Sequence, residues 1–380
     1  MKLLLIKYGE IGLKGKNRHL FENRLIQNIR SRLKEYPAQV KLDSGRIYVE
    51  YEDPEVPQIV RDTFGLVEVC LCEKVPLELK FLEDKIEQML QGYNLLGKSF
   101  KIETKRPNKS YPRTSPELSR YIGGFVLSKF PELRVDVHHP DLLIEVEVRE
   151  SFYIYIERYP AVGGMPYSSA GRAVLLMSGG IDSPVAGYQM ARRGTKILPL
   201  HFHAQPFTSL ESLEKVRNLV RRMSYYMGPM NFYHMNLLES QQLIRESCNE
   251  KHFTILQRRL MTKLASELAK KEGALALITG ESLAQVASQT MEGISCTNNA
   301  SNRVIFRPLI SFDKEDIVTI SKAIGTYEIS ILPFDDACTV FLPSRVETSP
   351  TLGSILREEE KMDLDELFNL AWKTLVKEKI

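Results

Sequence analysis

Residues 173–194, AVLLMSGGIDSPVAGYQMARRG, run from an apolar stretch through Ser-Gly-Gly-Ile-Asp-Ser into a second apolar, helix-like pattern. Ala173 to Met177 predict a buried strand. Pro184, whose missing N–H costs nothing in a first helical turn, predicts the opening of a helix. The loop between them then lies at a helix N-terminus, where unpaired amides and the helix dipole favour an anion. Gly179 and Gly180 let the backbone approach a ligand where a Cβ would collide, and the hydroxyls of Ser178 and Ser183 add donors at either end. A phosphate group is the expected guest.

Two other stretches compete for that reading. GYNLLGKS, residues 92–99, matches the Walker A pattern, but a phosphate loop of that kind leaves a strand and enters a helix. Here an amphipathic helix (83–90) precedes it and the strand-like SFKIETKR follows, so a helix-to-strand turn with a solvated Lys98 is expected. Near the N-terminus, YGEIGLKGKNR carries glycines at 9, 12 and 15, which miss the dinucleotide spacing.

The 380 residues allow two or three domains, and the composition is that of a globular chain rather than a fibrous or disordered one. The apolar run before Lys7 is too short for a signal peptide and no segment reaches bilayer-spanning length, so a cytoplasmic protein without membrane contact is expected. Five cysteines, at 70, 72, 248, 296 and 338, fit a reducing compartment better than a disulfide framework. A net charge of +3 does not by itself argue for nucleic acid. Local clusters say more: KGKNR (14–18), KRPNKSYPR (105–113) and VRRMSYY (220–226) concentrate cations, two of them mixed with tyrosine, as suits phosphates and stacked bases.

The first 160 residues read as repeated α+β cycles, with RVDVHHPDLLIEVEVRESFYIYIERYPA as paired strands. YPAVGGMPYSSAGR is a linker, and beyond it AVLLM, KILPLHFHA, MNFYHMNL and ALALITG are short buried strands between helices. That alternation predicts a doubly wound parallel sheet, whose ligands bind beyond the carboxyl ends of its strands. The Ser-Gly-Gly loop, His201 to His203, and TGES (279–282) all fall there.

Ser-Gly-Gly-x-Asp-Ser after a first strand resembles the PP-loop of ATP pyrophosphatases, which split ATP between its α and β phosphates and adenylate a carbonyl oxygen. In that reading the amides of Gly179 to Asp182, with the hydroxyls of Ser178 and Ser183, hold the departing pyrophosphate. Asp182 orients Mg²⁺ or the reacting phosphate; the alternative is an ordinary turn with Asp182 as an N-cap. Similarity to the tRNA 4-thiouridine synthetase family extends over nearly the whole chain. It is carried by YGEIGLKGKNRHLFE, SGGIDSPVAGYQMARRG, LHFHAQPFTS, TGESLAQVASQT with FRPLISFDKEDI, and ILPFDDACTVFLP.

That resemblance implies an α/β chain with a ferredoxin-like domain (1–56), a THUMP RNA-binding domain (57–160), a linker (161–172) and a PP-loop ATP pyrophosphatase domain (173–380). It implies ATP and Mg²⁺ as cofactors, tRNA as partner, and a persulfide sulfur donor such as a cysteine desulfurase; a homodimer is compatible with it. The adenylate site maps onto Leu176, Met177, His201, Phe202, Arg258, Gly280 and Gln289. Cys338 corresponds to the catalytic cysteine that carries or receives sulfur, although its neighbours Asp335 and Asp336 should raise a thiol pKa. Lys314 is the expected cation at the developing phosphate charge, against a helix-start Asp–Lys pair. Lys14, Lys16, Arg18, Lys105, Arg106, Lys109 and Arg113 are the expected RNA contacts.

No metal site is expected from protein side chains. His201 and His203 share a strand face without a third ligand at suitable spacing, and Cys70 and Cys72 alternate on an apolar strand as core. Without a CxxC, iron–sulfur chemistry is not expected. Some family members append a rhodanese domain and also serve thiazole synthesis for thiamine; with the chain ending at Ile380 after a charged helical segment, sulfur is expected from outside. The implied reaction adenylates the C4 oxygen of uridine 8 of tRNA and lets sulfur displace AMP. The alternatives are a PP-loop enzyme amidating or thiolating a small molecule and a nucleotide-sensing RNA-binding protein.

Overall fold

The computed structural model describes residues 2–43, 45–334, 337, 340–341 and 346–380. The chain divides into two compact units, Met1–Gly164 and Met165–Ile380.

In the first unit the alternating apolar residues become one eight-stranded sheet. Its strands are β1 (Lys2–Tyr8), β2 (Ala38–Asp43), β3 (Arg46–Tyr51), β4 (Leu66–Val75), β5 (Ser99–Lys105), β6 (Arg134–Val135), β7 (Leu142–Val148) and β8 (Phe152–Pro160), in the order β2-β3-β1-β4-β8-β7-β5-β6. The ten-residue β4 pairs antiparallel with β1 on one side and β8 on the other, so it joins two α+β halves. Leu4, Ile6, Val49 and Val69 pack with Leu25 and Ile29 of the helix Arg18–Arg32, and Val56 and Val60 belong to the same core. Ile144, Val146 and Ile154 pack with Leu82 and Ile86 from one helix and Ile122 and Val126 from another. That last helix, Ser115–Lys129, starts in a capping box between Thr114 and Glu117, the signature Thr-x-x-Glu promised.

RVDVHH yields only the two residues of β6. Beyond them Asp136 accepts the backbone N–H groups of His138 and His139, each at 2.9 Å, so its side chain takes the donors that a longer strand would offer a neighbour. The Walker-like stretch follows the helix Leu79–Leu90 and runs into β5, the order a phosphate loop does not have; Lys98 sits 3.7 Å from Asp141.

The second unit is a six-stranded sheet: β9 (Arg172–Met177), β10 (Lys196–His203), β11 (Asn231–Asn236), β12 (Ala276–Ile278), β13 (Val304–Phe306) and β14 (Val376–Lys379), in the order β13-β12-β9-β10-β11-β14. β9 to β13 are parallel, while β14 lies antiparallel on β11. The charged C-terminal segment expected as helix is therefore a strand at its very end. Lys377, Glu378 and Lys379 suit an exposed edge, where charge discourages further pairing. The helix Asp182–Arg192 begins two residues before Pro184, so the proline occupies the third position of a first turn in which no N–H is required. Gly187 lets this helix lie close on the sheet, since a Cβ there would sit 2.7 Å from Leu175 and Met223. Among the described residues no helix is long and apolar enough to cross a membrane.

Candidate active site

β9 has β10 on one side and β12 on the other, and chain order reverses between these neighbours. The strand-end loops diverge there, which opens a crevice at the carboxyl edge of the sheet. A cavity of ≈ 270 Å³ occupies it. Leu176 and Met177 of β9, Ser178, Asp182 and Ser183 of its loop and Phe202 of β10 form one wall. The helix Phe253–Lys271 contributes Thr254, Arg258, Met261 and Thr262; Thr279, Gly280, Glu281, Ser288 and Gln289 follow β12; Ile305 and Arg307 come from β13 and its end. Its lining combines apolar side chains with hydrogen-bond donors, which suits a flat base and its phosphates.

The loop is braced from within. Ser183 is 3% exposed; its hydroxyl accepts the N–H of Ser178 at 2.9 Å and lies 3.0 Å from the Ser178 hydroxyl, which accepts the N–H of Gly180 at 3.3 Å. These hydroxyls shape the loop, leaving the helix N-terminus to face an anion. Gly180 has ordinary φ, and a Cβ on it would meet only the Ser178 hydroxyl at 3.6 Å. Asp182 does not cap its helix. Its carboxylate instead accepts from Lys314 Nζ at 2.6 Å and from Gln285 Nε2 at 3.0 Å. Lys314, first residue of the helix Lys314–Ile324, is thus brought to Asp182 and not held by the adjacent Asp313; half-exposed, it stands at the rim.

Gly280 presses on the same loop: a Cβ there would lie 2.8 Å from Ser183 N and 2.9 Å from Asp182 C. Next to it the buried Glu281 accepts from Arg258 Nη2, from Arg307 Nε at 2.7 Å and from Thr279 Oγ1 at 2.8 Å. Burial works to raise the Glu281 pKa, but the Arg258 and Arg307 charges overcome it and hold the carboxylate below its usual range. Arg258 also donates to Ser288 O at 2.9 Å. The adjacent Arg259 points elsewhere, forking onto Glu359 at 2.8 and 2.9 Å, which anchors the helix carrying Arg258. Gln285, Glu281 and Arg307 were absent from the residues singled out in the sequence, although each falls inside TGESLAQVASQT or FRPLISFDKEDI.

His201 is buried, with Nδ1 2.9 Å from Met177 O, and does not line the cavity with its neighbour Phe202. Its companion His203 lies 3.3 Å from His234, which in turn meets Glu378 of the edge strand at 3.0 Å. Burial, then the neighbouring imidazoles, push the His203 pKa down to about 3. Among the described residues no three His, Cys, Asp or Glu side chains gather to hold a metal. Cys338 lies outside the described residues. Cys70 and Cys72 are core, burial lifting the Cys70 thiol to about 12 and Cys72 higher still. Cys296 is sealed at 1% exposure with its thiol against Pro350 O. Burial raises Cys248 to about 11.

The basic clusters divide into spent and available cations. Arg18 is held by Glu22 at 2.8 Å, and Lys105 by the buried Glu145 at 2.7 Å. Arg106 donates to Tyr111 O at 2.6 Å, which shapes the 105–113 loop. Arg113 stacks over Tyr121, while Lys14, Lys16 and Lys109 are exposed. In the third cluster Arg222 donates to Ile324 O at 2.6 Å, closing the end of the helix Lys314–Ile324.

A parallel sheet with an anion loop and helix start after its first strand, and an apolar slot beside it, defines a nucleotide-binding domain of the PP-loop class. The profile described as thiamine biosynthesis protein (ThiI) matches residues 168–364, that of the ThiI ferredoxin-like domain residues 3–70, and that of the THUMP domain residues 78–157. A "probable tRNA sulfurtransferase" of Clostridium acetobutylicum is 43% identical over 371 residues, 97% of this chain and 96% of its own. One of Alkaliphilus metalliredigens is 44% identical over 375 residues, again 97% and 96%. The crystal structure of a 4-thiouridine synthetase–RNA complex with bound ATP superposes with a TM-score of 0.91 at 35% identity, covering all of both chains. The chain belongs to the ThiI family of tRNA sulfurtransferases.

Proposed function

We propose that this protein is an ATP-dependent tRNA sulfurtransferase that converts uridine 8 of tRNA to 4-thiouridine. The observation that carries the reading is the meeting, at one crevice, of the braced Ser-Gly-Gly loop, the Lys314–Asp182 pair and the base-sized slot beside Phe202. The uridine C4 oxygen attacks the α-phosphorus of ATP, the bond to the bridging oxygen breaks, and pyrophosphate leaves against the loop. The outer sulfur of a persulfide then adds at C4, AMP departs with the former carbonyl oxygen, and a second thiol attacks the inner sulfur, so that the S–S bond breaks, 4-thiouridine is released and a disulfide is left behind. Adenylation makes that oxygen a good leaving group, and Lys314 meets the negative charge that builds on phosphate.

Mg²⁺ would be held by Asp182 and by the phosphates themselves, in keeping with an ion that takes one or two carboxylates plus phosphate oxygens rather than a protein cage. The chemistry it would supply there is charge neutralisation on the leaving pyrophosphate. Cys338 is proposed to carry sulfur from a persulfide donor, a cysteine desulfurase being the suitable class, in the cytoplasm. Lys14, Lys16, Lys109 and Arg113 are the cations best placed to meet tRNA phosphates. The ferredoxin-like, THUMP and PP-loop domains are proposed to span residues 1–56, 57–160 and 173–380, with a linker over 161–172.

Pyrophosphate release and 4-thiouridine formation, measured with and without tRNA in the presence of a persulfide donor, test the reading. Release that requires tRNA, with thiolation following, supports it. Turnover on a small acceptor without RNA, or none under any condition, refutes it.

A further inference from the structure

We infer that Arg307 is a second phosphate-contacting residue of the nucleotide cavity, taking the α-phosphate, and that Glu281 is the positioning residue holding Arg307 and Arg258 side by side. The inference rests on the ATP-dependent reading above.

Two guanidiniums share one buried carboxylate, and guanidinium does not lose its proton in a protein, so the cluster carries one positive charge in excess. Excess charge on two mostly buried guanidiniums favours an anion. Arg258 is satisfied on both sides, by Glu281 and by Ser288 O and Oγ at 2.9 and 3.1 Å. Arg307 is not: Nε is held by Glu281 and Nη1 lies 3.2 Å from Asn298, while Nη2 is buried with no partner. A charged donor left unmade is among the costlier defects a fold can carry, and this residue lines the cavity.

Position selects the anion. Gly280, the residue before Glu281, is pressed against Asp182 and Ser183 at the helix N-terminus, and both guanidiniums line the same cavity as those two residues. The pyrophosphate portion belongs to the loop. The phosphate between it and the ribose is the one within the reach of β12 and β13. When the uridine oxygen attacks, charge grows on the non-bridging oxygens of that phosphate, and a preorganised second guanidinium stabilises it.

The test is equilibrium binding of ATP, AMP and adenosine to the full-length Arg307→Gln and Glu281→Gln proteins, with pyrophosphate release in parallel. Removing one charged contact should weaken ATP and AMP about tenfold or more, leave adenosine within about twofold, and slow release further than it weakens binding. Arg307→Lys, which keeps the charge without the fork, should restore part of the AMP affinity. Unchanged AMP affinity, a loss confined to ATP, or an equal loss for adenosine overturns the assignment. If Arg307→Gln does not fold, a normal AMP affinity in Arg307→Lys and Glu281→Gln overturns it as well. Wild-type protein that binds no ATP refutes instead the parent reading.

Discussion

Replacing Gly280 by alanine isolates the contact between the β12 loop and the phosphate loop. Glycine is not needed there for backbone freedom, since its φ is outside the left-handed region; it is needed for space. The added methyl would lie 2.8 Å from Ser183 N, 2.9 Å from Asp182 C and 3.1 Å from Ser183 Cα, against an ordinary contact of 3.4 Å or more. All three neighbours are backbone, so no side chain can swing aside. The start of the helix Asp182–Arg192 must retreat by about half an ångström, which is the tolerance of a working catalytic constellation. Overpacking of this kind costs about 1–3 kcal/mol of stability. Misplacement approaching an ångström costs up to about 10²-fold in rate. Denaturant unfolding should therefore show an unfolding free energy lower by that amount, and tRNA-dependent pyrophosphate release should fall about 10- to 100-fold. Wild-type stability together with wild-type turnover would refute the argument that Gly280 sets the loop.

Gly180→Ala should do the opposite: its Cβ meets nothing closer than 3.6 Å, so stability should stay within about 0.5 kcal/mol. ATP affinity should nonetheless fall at least about tenfold, because the methyl stands in the ligand's space; calorimetric titration decides it. Cys338→Ser should keep pyrophosphate release with ATP and tRNA but form no 4-thiouridine from a persulfide donor, read by mass spectrometry of the RNA; normal thiolation would make the cysteine structural. His203, depressed to about 3 in the folded protein, binds its proton near pH 6.5 only when unfolded. Its contribution is therefore full above pH 6.5 and is lost on acidification, at up to about 1.4 kcal/mol per pH unit and about 2 kcal/mol by pH 5. Unfolding of wild type and His203→Gln at pH 7.5 and 5 should show a loss greater by about 2 kcal/mol in the former; equal losses would refute the assignment.

What could be read from residue order is what local physics controls. AVLLM, the Ser-Gly-Gly turn and the following apolar helix pattern announce strand, loop and helix because periodicity and turn chemistry act over a few residues, and a helix N-terminus suited to an anion follows from them. The strand-loop-helix order also disposed of the Walker-like match at 92–99. The short strands escaped: β13 has three residues and β14 four, lengths at which pairing with a neighbour, and not propensity, makes the strand. Charge was the least legible quantity. Arg18 and Lys105 look alike with Lys16 and Lys109 in sequence, but Glu145, forty positions from Lys105, takes up one of them. Lys314 finds Asp182 across 132 positions, and Glu281 gathers Arg258 and Arg307 from 23 and 26 positions on either side. The sequence alone determined that a strand-end loop leads into a helix N-terminus suited to an anion; only the tertiary structure decided which charges face it. Those pairings depend on where β9, β12 and β13 stand in the sheet, and strand order is set by packing between segments distant in the chain.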